Sequence, residues 1–510
     1  MLPRSESLHA RHDRPAAPVV PVSAAPGRYE PTLESVRRHP VPAWYHDAKL
    51  GIFIHWSLSS VPGFAPREHD VVELLRERPG EMNRLSPYAE WYENSLQFPD
   101  SPVAKHHRER YGSRPYADFR EAYEKALARW RPDVWAERFA AAGARYVVLV
   151  TKHHDGYCLW PSRVANPRRP GWCCPRDLVG ELATAVRARG LRFGVYYSAG
   201  LDWTFDGRRI AGIGDLMAAI PLGDYPAYAE AQLRELIERV RPDVLWNDIA
   251  WPGDLASFLR LVADYYNEIP EGVINDRWLA ANWLTRAMKL APVRAVVDRV
   301  LTRAVRRAFR KPGARFAPPP PPHYDARTPE YAVFAEARRE KWECVRGMDK
   351  SFGYNRASQP ADFLSREALV HSLVDIASKN GNLLLNVGPR GEDAEIPEPQ
   401  LERLGWLASF MARSGEALTG TRPWRRAEGT SAEALPVRFT QKDGTLYATL
   451  LGRPAGGVTL RDVALPAGAR ARLVGGPELP ALQKGTDLSL QVPDALPHEP
   501  AHAVALPGAA

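Results

Sequence analysis

An aspartate that closes a short apolar run, two residues after a tryptophan, is well placed for nucleophilic attack or proton abstraction. In Val244-Leu245-Trp246-Asn247-Asp248 the apolar start reads as a buried strand, Asp248 stands where the strand ends, and Trp246 offers a face for a ring to stack on. Polar residues recur at equivalent places along the chain. His55 closes Leu50-Gly51-Ile52-Phe53-Ile54, His153 and His154 follow Tyr146-Val147-Val148-Leu149-Val150, Tyr196 lies late in Leu191 to Ser198, and Arg277 follows Gly272-Val273-Ile274. His323-Tyr324-Asp325 and Thr328-Pro329-Glu330-Tyr331, which holds Glu330, read as a loop, and Lys341 to Val345, which holds Glu343, reads as a strand. Glu90 and Trp91, within Glu90-Trp91-Tyr92, and Phe352, within Ser351-Phe352-Gly353-Tyr354, add one hydrogen-bonding group and two aromatic faces.

The elements that would gather these residues alternate. Helical spacing over Pro132 to Ala142 stops at Gly143, and a helix from Asp177 to Ala188 stops at Gly190. Further helices are expected over 226–240, 365–378 and 398–411, with strands between them, the last being Asn382 to Val387. Strand alternating with helix implies parallel pairing, and a (β/α)8-like, TIM-type barrel over residues 29–423 would bring the strand ends around one mouth. Residues 67 to 130 read as a long loop with short helices. Beyond residue 424 the pattern changes to short alternating runs separated by Gly and Pro, expected to form a small antiparallel β-sandwich to residue 510. Residues 1–28, rich in Pro, Ala, Arg and Ser, are expected to be a disordered tail.

The chain has 510 residues and a net charge of +8. Between Arg286 and Lys311 stand nine Lys or Arg against Asp298 alone, so 9 − 1 accounts for the whole excess: a local basic patch, which gives no general case for nucleic acid. That segment belongs to a stretch, about 280–322, combining a cationic helix carrying an apolar stripe with the proline run 318–322. It is expected to form a rim beside the pocket or an inter-subunit element. The four cysteines, Cys158, Cys173, Cys174 and Cys344, lack paired metal spacing and are expected to be reduced thiols. His55, His153, His154 and Asp155 suggest a metal site, but neighbouring histidines on an extended chain point opposite ways, so no metal is expected. Without an apolar run of signal-peptide or membrane-span length, the reading is cytoplasmic and soluble, with no membrane partner.

In this order, Gly51-Ile52-Phe53-Ile54-His55-Trp56, Glu90-Trp91-Tyr92, Lys152-His153-His154-Asp155-Gly156, Val195-Tyr196-Tyr197-Ser198, Leu245-Trp246-Asn247-Asp248, Asn275-Asp276-Arg277-Trp278 and Ser351-Phe352-Gly353-Tyr354 resemble the motifs of the glycoside hydrolase family 29 α-L-fucosidases. The resemblance implies a retaining fucosidase of barrel-plus-sandwich architecture that needs no cofactor and acts on fucosylated glycans or small fucosides, with room for a homo-oligomer. Carried over, it makes Asp248 the nucleophile and His323-Tyr324-Asp325 with Thr328-Pro329-Glu330-Tyr331 the acid/base pattern, so Glu330 is the expected acid/base and Glu343 its rival. Sugar contacts fall on His55, Glu90, Trp91, His153, His154, Tyr196, Trp246, Arg277 and Phe352. A fucose-binding protein without catalysis, or a glycosidase for a related sugar such as a galactoside, would carry the same residues.

Overall fold

The computed structural model describes residues 28–310 and 319–509, so the expected N-terminal tail, Arg28 apart, lies outside the described residues, as does Pro318 of the proline run. Seven parallel strands form one curled sheet: β1 Leu50–Ile54, β2 Tyr146–Lys152, β3 Arg192–Tyr197, β4 Val244–Asn247, β5 Val273–Ile274, β6 Trp342–Gly347 and β7 Gly381–Val387, in the order β5-β4-β3-β2-β1-β7-β6. Helices Leu178–Ala188, Tyr225–Val240, Leu255–Glu268, Arg366–Ser378 and Glu398–Ser414 alternate with these strands, as parallel pairing requires.

Between β5 and β6 the expected loop is instead an irregular eighth strand. Parallel bridges join Asn275 to Ala326, Arg327 to Trp342, and Glu330 to Val345, so residues 326–330 close the gap. Pro329 cannot donate to a ladder and Tyr331 has φ +48°, which explains why pairing there stays broken. The segment is pinned at its start, where Asp325 accepts hydrogen bonds from the Ile274 amide and the Tyr266 hydroxyl, and mid-way, where Asp276 accepts from the amide and hydroxyl of Thr328.

Side chains alternate across this sheet as a pleat demands. Ile52, Leu149, Val195, Leu245 and Leu385 pack against the helices, whereas Phe53, Val148, Tyr196, Trp246, Val345 and Leu384 share a separate inner cluster. Two-residue periodicity then carries the inner face out of the barrel: His55 follows Phe53, and Asp248 follows Trp246. Gly51 leaves the space that the Tyr146 ring occupies, since a β-carbon there would stand 2.3 Å from it.

The C-terminal region holds two antiparallel sheets. One has six strands, Arg422–Thr430, Pro436–Lys442, Thr445–Leu450, Ala471–Leu473, Glu478–Leu479 and His502–Pro507; the other has Gly457–Leu460, Ala481–Lys484 and Asp487–Gln491. They share a core that includes Phe439, Leu446 and Val504 from the first and Val458, Leu460 and Leu488 from the second.

Candidate active site

The fold brings all eleven expected site residues to one cleft: His55, Glu90, Trp91, His153, His154, Tyr196, Trp246, Asp248, Arg277, Glu330 and Phe352. Asp248 is held from three sides. The Tyr196 hydroxyl donates to Oδ2 at 2.8 Å, the Ile249 amide donates to Oδ1 at 2.8 Å, and Arg277 Nη1 lies 3.0 Å from Oδ1. The other end of the same guanidinium reaches Glu330, with Nη2 at 2.6 Å from Oε1, while the Tyr88 hydroxyl donates to Oε2 at 3.2 Å. Both carboxylate side chains keep 12% exposure, so each is held yet reachable. Arg277 itself stacks on Trp246, its guanidinium carbon 4.8 Å from the ring, and the two anions beside it raise its pKa despite burial.

The backbone is strained after each carboxylate. Ile249, next to Asp248, has φ +67° at the centre of a γ-turn closed by the Ala250 amide to the Asp248 carbonyl at 2.9 Å; Tyr331, next to Glu330, has φ +48°. Left-handed backbone at a bulky residue costs on the order of 1–3 kcal/mol and persists where surroundings enforce it. At Asp248 the enforcing neighbour is Gly200, whose amide donates to the Asp248 carbonyl at 3.2 Å and whose missing side chain lets the turn approach.

The histidines are neutral acceptors by construction. Burial pushes His55 down to about 4, and its Nδ1 is engaged by Asn386 Oδ1 at 2.6 Å; the Asn386 amide nitrogen donates to the Phe352 carbonyl, which fixes the amide orientation and leaves Nε2 as the acceptor. Burial also holds His153 and His154 well below the usual histidine range. Ser198 Oγ donates to the Leu201 carbonyl, so it accepts from His154 Nδ1 at 2.6 Å, and His154 Nε2 is left as a second acceptor, 3.8 Å from Asp248 Oδ2. Glu90 has the opposite character. Burial pushes its carboxyl up to about 8, against the pull of the Gly353 amide that donates to it at 2.7 Å. Below that pH it is a carboxylic acid, able to donate to a sugar hydroxyl. Trp91 meets His154 edge-on at 5.0 Å, and Phe352 lies 5.2 Å from His55 and 5.3 Å from Tyr88, so aromatic faces line two sides.

One expectation needs correction. His153 and His154 do not point opposite ways: their ring centroids are 4.0 Å apart, because β2 ends at Lys152 and the chain turns there, freeing both rings from strand alternation. Among the described residues, no group of three or more His, Cys, Asp or Glu has a geometry that would hold a metal ion. Glu343 is not on the cleft. It lies fully buried inside the barrel, accepting from Tyr45, Tyr146 and Trp246 Nε1, the last at 3.2 Å, so it fixes the tryptophan from beneath. Burial raises its pKa, yet it has no path to a substrate. Tyr88 and Asn386 carry no role in the sequence reading, and Ser198 and Thr328 stand inside quoted motifs without a role of their own; Tyr88, two residues before Glu90, had a motif nearby to flag it. The His323-Tyr324-Asp325 triplet lies outside the cleft, with His323 on the Tyr266 hydroxyl and Asp325 paired to His39, and serves to anchor the segment carrying Glu330.

A sequence profile described as alpha-L-fucosidase matches residues 18–416. The tissue alpha-L-fucosidase of Bos taurus is 31% identical over 445 residues, covering 85% of this chain and 80% of its own. Among solved structures, Thermotoga maritima alpha-fucosidase in complex with fucose is 38% identical with a TM-score of 0.76, covering 94% of this chain and 100% of that one, and the same protein in complex with a mechanism-based inhibitor matches equally well.

Proposed function

This chain belongs to the alpha-L-fucosidase family, and from that premise we propose that it cleaves terminal α-L-fucosides by double displacement, with Asp248 as nucleophile and Glu330 as acid/base. The enzyme is a glycoside hydrolase; the residue roles and the retaining course are the proposal. The observation that carries it is the guanidinium of Arg277 lying between two accessible carboxylates, 3.0 Å from one and 2.6 Å from the other. Retention asks for two carboxyl groups about 5 to 5.5 Å apart, and a shared guanidinium draws them together.

In the first step Asp248 attacks the anomeric carbon while Glu330 gives its proton to the leaving oxygen; in the second, Glu330 takes a proton from the water that releases fucose. Arg277 holds both groups in place, and a bound substrate must draw Glu330 Oε1 away from it, a rearrangement common between free and substrate-bound sites. The Nε2 atoms of His55 and His154 accept from ring hydroxyls, the neutral Glu90 donates, and Phe352 and Trp91 offer faces to the apolar side of a 6-deoxy sugar. Following an aryl α-L-fucoside by proton NMR tests the course: α-fucose must appear first and mutarotate later, and β-fucose as first product would rule out a covalent intermediate. We also place the enzyme in the cytoplasm, on the strength of four free cysteines, three of them buried; cell fractionation checks this.

A further inference from the structure

The basic insertion forms two helices, Trp283–Ala287 and Ala291–Phe309, and the longer one is latched across the barrel mouth. Lys289 pairs with Asp206 at 2.9 Å, Arg294 with Asp215 at 3.1 Å, and Asp298 accepts from the Gly214 amide at 2.8 Å. A β-carbon at Gly214 would come within 2.7 Å of Asp298, so the contact with helix Ile213–Ala219 is close. Val305 thereby reaches the cleft and joins the inner barrel cluster of Phe53, Tyr196 and Trp246.

The outer cleft is consequently apolar: Val71, Leu75, Met82, Ile213, Leu216 and Val305 face it. The polar side chains beside them, Asn83 and Ser86, are each engaged at one atom, Asn83 donating to the Ala211 carbonyl and Ser86 accepting from the Tyr88 amide. Val71 also borders Glu330 in a neighbouring cleft, so this wall lies on the side from which the leaving oxygen receives its proton. That neighbouring cleft is walled by charged groups, Arg346, Asp349 and Lys350, and is the competing path for a polar leaving group.

We propose that the inserted helix completes an apolar leaving-group subsite that selects fucosides of alkyl and aryl alcohols over fucosides whose leaving group is another sugar. The proposal rests on the fucosidase reading of the inner cleft. Burying methylenes against such a wall is favourable by the hydrophobic effect, whereas its apolar side chains offer no partner to sugar hydroxyls.

The test compares hexyl and methyl α-L-fucoside, whose leaving alcohols have nearly equal acidity, so bond cleavage needs the same proton help in both. We expect kcat/KM to favour hexyl by about tenfold or more, and the ratio to collapse at least about threefold in the Val305→Ser/Leu216→Ser double variant. Both substrates are read on one preparation, so a poorly folded fraction cancels. A ratio near one in the parent, an unchanged ratio in the double variant, or a preference for a fucosyl-galactoside over hexyl fucoside overturns the subsite. Cleavage of neither compound would instead strike at the fucosidase reading, and the subsite is then read by calorimetry: tighter binding of hexyl than methyl fucoside upholds it, and equal Kd values overturn it.

Discussion

Arg277 Nη2 sits 2.6 Å from Glu330 Oε1, and the same guanidinium spans to Asp248. With a side chain only 6% exposed, it pairs with both carboxylates, and its removal leaves the two facing each other without it. Arg277→Met should lower kcat/KM for an aryl fucoside by roughly 100-fold or more and destabilise the fold by about 3–5 kcal/mol, read by kinetics and denaturant melts. Near-parental activity would show that the bridge has no catalytic weight.

Glu90 sets an alkaline limit. With its carboxyl pushed up to about 8, rising pH converts a donor into an anion beside Glu330, so kcat/KM should fall above about pH 8. Because the folded pKa lies above the unfolded value, the same ionisation withdraws stability as pH climbs from the ordinary carboxylate range to 8. Glu90→Gln keeps a neutral donor and should lose this limb; a variant whose alkaline limb is unmoved would assign the limb elsewhere.

The histidines act on the opposite side. His55 is held at about 4 when folded against 6.5 in the unfolded chain, so the stability it contributes is present above about 6.5 and is lost as pH falls toward 4. His153 and His154 shift in the same direction. Thermal melts from pH 7 to 4 should show a steep decline that His55→Gln makes shallower; an equal slope in the variant would free His55 from blame.

Glu330 and Glu343 separate by rescue. Glu330→Ala should slow sugar-linked fucosides more than nitrophenyl fucoside, and azide should restore part of the nitrophenyl rate by attacking the fucosyl-enzyme without a base. Glu343→Ala strands the Tyr45, Tyr146 and Trp246 donors and should cost about 2–4 kcal/mol of stability with no azide response. Azide rescue of Glu343→Ala would reverse the two assignments.

Gly200 tests the strained turn. An added β-carbon would lie 2.5 Å from the Ala250 amide nitrogen and 2.7 Å from Ile249 Cβ, displacing the γ-turn that presents Asp248. Gly200→Ala should reduce kcat by about 10-fold or more, with KM changed less, since misplacing a nucleophile by a fraction of an ångström harms the reacting geometry first. An unchanged kcat would mean the turn tolerates the shift.

The sequence made the strand exits legible because one alternation rule runs through them: an inward Phe53 or Trp246 dictates that His55 and Asp248, two residues on, share its face. It could not show His153 and His154 side by side, since that depends on where β2 stops. Glu90 was legible as a sugar contact but its raised pKa was not, since its burial against Gly353 is a contact across some 260 positions. The eighth strand was read as a loop because Pro329 and its broken pairing remove the usual signature. The insertion's apolar stripe was visible, but which wall it would complete depended on ion pairs with Asp206 and Asp215, and spacing does not encode those.

Double displacement requires a fucosyl bond to Asp248, and peptide mass mapping after inactivation with 2-deoxy-2-fluoro-α-L-fucosyl fluoride reads that bond itself. One labelled peptide is expected, with the sugar on Asp248 and labelling suppressed by excess fucose. Label on another carboxylate, Glu330 or Glu343 included, would contradict it.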